Sequence, residues 1–138
     1  MNTVMVTGHF DPFHDGHLDY LKQARELGGF LFCVVSTDKQ LMIKKGNVNI
    51  PEEGRREIVR LILQGMGVKN IVFLNIFDVD TTSVANVIRM FKTDIFFRGG
   101  DKKLEDMPAK EKKICEELGI EIRHAKMNYP THGAGMVL

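Results

Sequence analysis

Apolar positions alternate along this chain between short continuous runs and stretches with helical spacing. Continuous runs rich in Val, Ile, Leu and Phe are typical of strands buried on both faces of a parallel sheet. They predict strands at residues 1–7, 30–36, 70–75 and 94–97, and residues 120–124 are predicted as a fifth strand. Helical spacing predicts helices at residues 17–27, 51–64, 83–91 and 108–118, with a loop and a short helix over 37–50.

This regular alternation of strand and helix predicts an α/β fold. Strand, helix and strand within residues 1–36 make a βαβ unit, whose crossover is expected to be right-handed. The sequence contains no internal repeat, low-complexity tract or linker. Residues 1–138 are therefore expected to form a single domain.

Composition narrows the class of protein. The chain is 43% hydrophobic and 27% charged, and its net charge of +1 provides no general field for nucleic acid or membrane. No apolar run is long enough to span a bilayer, and the first residues lack a signal-peptide pattern. Cys33 and Cys115 are interpreted as buried small hydrophobes in a reducing compartment. We expect a cytoplasmic protein that binds neither nucleic acid nor membrane.

The loop between the first strand and the first helix is the most informative stretch, with the sequence T-G-H-F-D-P-F-H-D-G-H. Free backbone N–H groups and the helix dipole at such a junction favour a phosphate. His14 and His17 would add two donors at the same place. Gly8 and Gly16 would let a ligand approach the backbone closely.

A metal site is the rival interpretation of this loop. His9, Asp11, His14 and His17 carry groups that suit zinc and other divalent ions. However, metal-binding histidine pairs on one helix are usually four residues apart, and only His17 is clearly near the predicted helix. We therefore assign no metal ligands, although the Asp11 carboxylate could face a metal or a substrate group. The interpretation as a dinucleotide-binding loop is less favoured still, because the motif G-x-G-x-x-G is absent.

Residues 8–17 resemble the G-x-F-D-x-x-H-x-G-H signature of the cytidylyltransferase-like nucleotidyltransferases and match each of its fixed positions. The resemblance implies that His14 and His17 are catalytic donors to the α- and β-phosphate oxygens. It also implies Mg²⁺ as a cofactor that accompanies the nucleoside triphosphate. The nucleotide-binding residues implied here are Gly8, His9, Phe10, Asp11, His14 and His17.

Basic residues beyond the second strand extend the resemblance. By charge pattern alone, Lys44 and Lys45 are as typical of a solvated face as of a functional site. The resemblance implies that Lys44 is catalytic and faces the triphosphate or the acceptor phosphate, with Lys45 as a second candidate. The segment P-E-E-G-R resembles the family's P-x-E-x-R and implies that Arg55 holds the acceptor's phosphate through a bidentate fork. The alternative is a surface ion pair of Arg55 or Arg56 with Glu52 or Glu53.

A second site follows the fourth predicted strand. Ligands bind at the carboxyl ends of strands in open α/β sheets. The segment Arg98, Gly99, Gly100 and Asp101 resembles the family's K-G-G-D, which lines the nucleotide pocket. Asp80 and Thr81 resemble a segment near the acceptor in heptose-phosphate adenylyltransferases and are weaker substrate candidates. For Thr81 or Thr82, capping of the following helix is a sufficient alternative.

Residues 126–138 are atypical of the family, which usually has a Ser/Thr-rich loop and a last helix here. Thr131 is the nucleotide-binding candidate of this tail, and His132 is its substitute. Arg123 or Lys126 could supply the positive charge that the family usually places near the β- and γ-phosphates.

Pattern and resemblance together predict a doubly wound sheet of five parallel strands in the order 3-2-1-4-5, with helices on both faces. The nucleotide would lie at the switch point between strands one and four. The implied reaction transfers CMP from CTP to a small phosphorylated acceptor, such as glycerol 3-phosphate or a sugar phosphate, and releases pyrophosphate. The alternatives are ATP with a heptose phosphate or an FMN-like acceptor, and a non-catalytic nucleotide-binding module. Members of the resembled family are often homodimers, and the resemblance leaves open whether this chain forms one.

Overall fold

The chain folds around one parallel sheet, and the computed structural model describes residues 2–100 and 102–127. The strands are β1 (Thr3–Gly8), β2 (Phe30–Val35), β3 (Asn70–Leu74), β4 (Ile95–Arg98) and β5 (Glu121–His124). The helices are α1 (Asp15–Arg25), α2 (Asp38–Lys45), α3 (Glu52–Gly65), α4 (Ala85–Phe91) and α5 (Ala109–Leu118). The strand order β3-β2-β1-β4-β5 confirms the predicted topology.

Both faces of the sheet are covered at its centre, which explains why the central strands β1, β2 and β4 are rich in continuous apolar positions. One core cluster joins β1, β2 and β4 to α1 and α3, and includes Val4, Val6, Leu21, Cys33, Val59, Leu63 and Phe97. The cluster on the opposite face joins the same strands to α4 and α5, and includes Met5, Val34, Ile88, Phe96, Ile114 and Cys115. Both cysteines are buried free thiols, as expected. Within the described ranges, no helix is long and apolar enough to cross a membrane.

The start of α4 differs from the prediction. The helix begins at Ala85, two residues later than expected, and neither Thr81 nor Thr82 caps it. The carboxylate of Asp78 does so, because its oxygens accept hydrogen bonds from the N–H groups of Asn86 and Val87 at 2.8 and 3.2 Å. The hydroxyl oxygen of Thr81 instead accepts from the N–H of Ser83 at 3.1 Å. A buried carboxylate is a stronger acceptor for these N–H groups than an exposed hydroxyl.

A buried guanidinium ties four segments together at the carboxyl edge of the sheet. Arg55, on α3, is 0% exposed. Its Nε donates to the carbonyl of Ile50 at 2.7 Å, and its Nη2 donates to the carboxylate of Asp38 at 2.7 Å. Its Nη1 donates to the carbonyls of His9 and Ser36 at 2.9 and 2.8 Å. Arg55 therefore joins the loop after β1, the end of β2, the start of α2 and the segment before α3.

This arrangement corrects the expectation that Arg55 would hold an acceptor phosphate. Its guanidinium is buried, and each of its three nitrogens already donates to the protein. The alternative surface ion pair is formed by its neighbour, since Arg56 pairs with Glu53 at 2.5 Å. Arg55 is thus a positioning residue.

Replacing Arg55 with Met should lower the free energy of unfolding by about 2–4 kcal/mol, because carbonyl acceptors and Asp38 lose their donor. The matched variant Arg56→Met should cost less than about 0.5 kcal/mol, because it breaks one surface ion pair. Denaturant unfolding of the wild type and both variants measures the difference. Equal losses in the two variants would contradict the role of Arg55.

Candidate active site

The two histidines of the H-x-G-H segment brace the start of α1. His14 is the N-cap residue, and its Nδ1 accepts a hydrogen bond from the N–H of Gly16 at 3.0 Å. In return, the N–H of His14 donates to Nδ1 of His17 at 3.2 Å. A neutral imidazole whose Nδ1 accepts carries its hydrogen on Nε2. In their neutral forms, both rings therefore keep an Nε2–H donor for another partner.

The histidine rings are stacked, with centroids 3.8 Å apart and an interplanar angle of 21°. The buried ring of Phe10 packs edge-on against the His17 ring, with the two centroids 5.0 Å apart. A Cβ on Gly8 would lie 2.9 Å from the Phe10 ring, and one on Gly16 would lie 2.9 Å from the His14 ring. From sequence, these glycines are expected to let a ligand approach the backbone closely. The structure shows that they first make room for the protein's own rings.

Burial keeps two of the histidines neutral. Burial first, and then neighbouring charges led by that of His14, lower the pKa of His17 to about 3. Burial and then the positive charges of Lys45 and Arg55 lower the pKa of His9 to about 4. Nδ1 of His9 lies 2.5 Å from Oγ of Ser36, so the ring is held against the end of β2. The segment therefore combines neutral rings with nearby cations, an environment that suits phosphate.

Asp11 holds a loop. Its two carboxylate oxygens accept hydrogen bonds from the N–H groups of Asn49 and Ile50 at 2.7 and 2.6 Å. This fastens the connection between α2 and α3 to the histidine segment. Across the described part of the chain, no three His, Cys, Asp or Glu side chains are placed to hold a metal ion.

A cleft of about 570 Å³ opens at the carboxyl ends of the strands. It brings together predicted residues from three separate stretches, namely Gly8, His9, Lys44, Arg98 and Gly99. The strand order causes this convergence, because β1 lies between β2 and β4 and all three end at the same edge.

Other predicted residues lie elsewhere. Lys45 is exposed, at the end of α2, where its charge acts on His9 and His17. Asp80 is exposed and forms an ion pair with Lys39. Neither Asp80 nor Thr81 lines the cleft. Asp101 and Thr131 fall outside the described residues.

Two contacts fix the β4 side of the cleft. Tyr20, on α1, donates from its hydroxyl to the carbonyl of Phe97 at 2.5 Å and accepts from the N–H of Thr7 at 3.3 Å. This joins the helix of the histidines to the ends of β1 and β4. Arg98 donates through Nη1 to the carbonyl of Lys103 at 2.8 Å, and the same nitrogen lies 3.1 Å from Nε2 of His124. The Tyr20 contacts therefore fix the ends of β1 and β4, and the Arg98 contact with Lys103 holds the segment after β4.

Three buried polar side chains that were not singled out from sequence also border the cleft. Gln40, Asn75 and Glu111 line it although each is at most 5% exposed. Nε2 of Gln40 donates to the carbonyls of Asn75 and Asp78 at 3.2 and 2.5 Å. Only Asn75 carried a usable signal, since it is a polar residue at the carboxyl end of an apolar strand run.

Comparison with known proteins agrees with this geometry. The sequence model of the Cytidylyltransferase-like family matches residues 5–133. The FAD synthase of Methanohalobium evestigatum is 31% identical over 128 residues, which is 93% of this chain and 78% of that protein. The bifunctional protein HldE of Desulfatibacillum aliphaticivorans is 34% identical over 119 residues, or 86% of this chain. This chain spans about a quarter of the length of the HldE proteins, with 23% of that one matched.

A solved structure gives the same answer for the fold. The lipopolysaccharide core biosynthesis protein from Thermoplasma volcanium GSS1 is 29% identical, with a TM-score of 0.69 over 91% of this chain and 97% of that one. The family match covers most of the chain, and the FAD synthase match covers most of both proteins. This chain therefore belongs to the cytidylyltransferase-like family of nucleotidyltransferases.

Proposed function

We propose that this chain transfers a nucleoside monophosphate from a nucleoside triphosphate to a small phosphorylated acceptor. The observation that carries the proposal is the stacked pair His14 and His17. It lies in the same loop as His9, which lines a cleft together with Lys44, Arg98 and Lys102. A phosphate oxygen of the acceptor attacks the α-phosphorus. The bond from that phosphorus to the bridging oxygen breaks, and pyrophosphate leaves with the electron pair.

Catalysis of this kind consists mainly of positioning and charge stabilisation. The Nε2–H groups of His14 and His17 donate to phosphate oxygens on which negative charge accumulates. Because they are fixed by their own backbone hydrogen bonds, these donors need no rearrangement during the reaction. Lys44 neutralises a triphosphate oxygen or the acceptor's phosphate.

The chemistry of the cleft suits Mg²⁺ held mainly by phosphate oxygens. Asp11 already uses both carboxylate oxygens within the protein. Of the two carboxylates that line the cleft, Asp106 and Glu111, Asp106 is the more exposed and would be the one available to the ion. Mg²⁺ usually keeps several waters and binds through one or two carboxylates plus substrate phosphates. When bound, the ion would neutralise charge on the triphosphate.

We propose ATP as the first nucleotide to test and keep CTP as its rival. The sequence resemblance favoured CTP slightly. Relatives named FAD synthase favour ATP, because FAD contains an adenylyl group, and one of them matches this chain over 78% of its own length. The same name suggests FMN as an acceptor, beside glycerol 3-phosphate and heptose 1-phosphate.

A pyrophosphate-release screen tests the proposal by crossing ATP and CTP, with Mg²⁺, against FMN, glycerol 3-phosphate and heptose 1-phosphate. For the active pair, His17→Ala should lower kcat on the order of 10²–10³-fold, since it removes a fixed donor. Lys22→Ala, on an exposed position of the same helix, should retain wild-type turnover. Near-normal kcat in His17→Ala would contradict the assignment.

Stability should also depend on pH through the buried histidines. The folded-state pKa of His17 is about 3 and its ordinary value is 6.5, so between these values only the unfolded chain binds the proton. The contribution of neutral His17 to the free energy of unfolding is therefore fully present above pH 6.5 and is lost as the pH falls toward 3. His17→Gln should make the fall of the unfolding free energy with decreasing pH shallower by about 1.4 kcal/mol per pH unit, which is the linkage slope for one proton. Denaturant unfolding at pH 7, 6 and 5 measures it, with His124→Gln as the less buried comparison.

A further inference from the structure

One carboxyl group in the cleft is not explained by phosphate binding. Glu111 lies in the first turn of α5 and is 5% exposed, yet it lines the cleft. Its Oε2 accepts hydrogen bonds from the hydroxyl of Ser83 and from the N–H of Val84, each at 3.0 Å. One oxygen of Glu111 thus holds the segment that precedes α4.

The other oxygen, Oε1, has no hydrogen-bond partner among the described residues. It is not sealed inside the protein, because no fully buried side-chain nitrogen or oxygen in the described part of the chain lacks a partner. Since Glu111 is otherwise buried and borders the cleft, Oε1 opens into the cleft. Burying a carboxyl group is costly unless its oxygens are satisfied. Water in the open cleft can satisfy Oε1, and a ligand that displaces this water must supply a donor in its place.

The surroundings of Glu111 restrict what this ligand group can be. Lys44, Arg98 and Lys102 line the same cleft and suit phosphates, whereas a carboxyl oxygen repels them. Val34, Val84 and Phe96 add an apolar wall. This part of the cleft therefore suits a carbon skeleton that carries a hydrogen-bond donor.

We infer that Glu111 is a specificity-determining residue whose Oε1 accepts a hydrogen bond from a hydroxyl or amino group of the bound ligand. The inference rests on the proposed function, in which a nucleotide and a phosphorylated acceptor share the cleft. Either molecule could carry this donor, at an end away from its phosphates. Discrimination of this kind is strong, because a ligand without the donor leaves a buried acceptor unpaired.

The test compares Glu111→Gln with Glu116→Gln, an exposed position on the same helix. The amide oxygen of Gln can still accept from Ser83 and Val84, while the atom in place of Oε1 becomes a donor. Calorimetric binding of ATP, CTP, FMN and glycerol 3-phosphate, one at a time, gives the Kd values. Glu111→Gln should weaken one class of ligand roughly 10- to 100-fold, and Glu116→Gln should weaken none.

Ligand analogues then identify the donor. Analogues of ATP that lack the 2′-hydroxyl, the 3′-hydroxyl or the 6-amino group test the nucleoside, and a glycerol 3-phosphate analogue without its 2-hydroxyl tests the acceptor. The analogue that lacks the contacted group should bind wild type and Glu111→Gln equally. Comparing the Kd values of the full ligand and its analogue in Glu111→Gln separates two causes of weaker binding. Loss of the contact weakens the full ligand alone, whereas general loosening of the site would weaken the full ligand and its analogue alike.

Two outcomes distinguish this inference from the proposed function. Equal Kd values for wild type and Glu111→Gln across the four ligands would overturn the role of Glu111, whether or not pyrophosphate is released. A selective loss of binding in Glu111→Gln, without pyrophosphate release by the wild type, would support the contact while contradicting the proposed reaction.

Discussion

The guanidinium of Arg55 is the interaction on which the site depends. A buried cation is tolerated only when polar partners surround it, and here the carbonyls of His9, Ile50 and Ser36 and the carboxylate of Asp38 do so. These partners come from segments that are separate in sequence. The histidine loop, the end of β2 and the start of α2 consequently share one fixed point. Lys44 reaches the cleft from the far end of that same helix.

Charge is divided within the cleft. Burial holds His9 and His17 neutral, so they act as donors without adding positive charge. The formal positive charge comes from lysine and arginine side chains, whose charge does not change over the physiological pH range. Glu111 lines the same cleft and contributes an acceptor. The cleft thereby offers cations to phosphates and a carboxylate oxygen to an uncharged donor.

The central strands followed from sequence because apolar runs buried on both faces are a strong signal, and the strand order followed from the family resemblance of residues 8–17. Details that depend on where a side chain points did not follow. The charge pattern of α3 cannot show that Arg55 faces inward while Arg56 stays outside. Glu111 similarly resembled one more solvated acid on α5. The start of α1 was placed two residues late because histidine is not among the usual capping residues, although the ring of His14 serves that purpose.

The carboxylate of Asp11 joins the histidine loop to the backbone of Asn49 and Ile50 through two short hydrogen bonds. Asn49 and Ile50 lie in the connection that follows α2, the helix that ends at Lys44 and Lys45. Asp11 therefore couples the position of this connection to that of the histidine loop. An aspartate of the signature thus serves as a structural tie between two loops that are far apart in sequence.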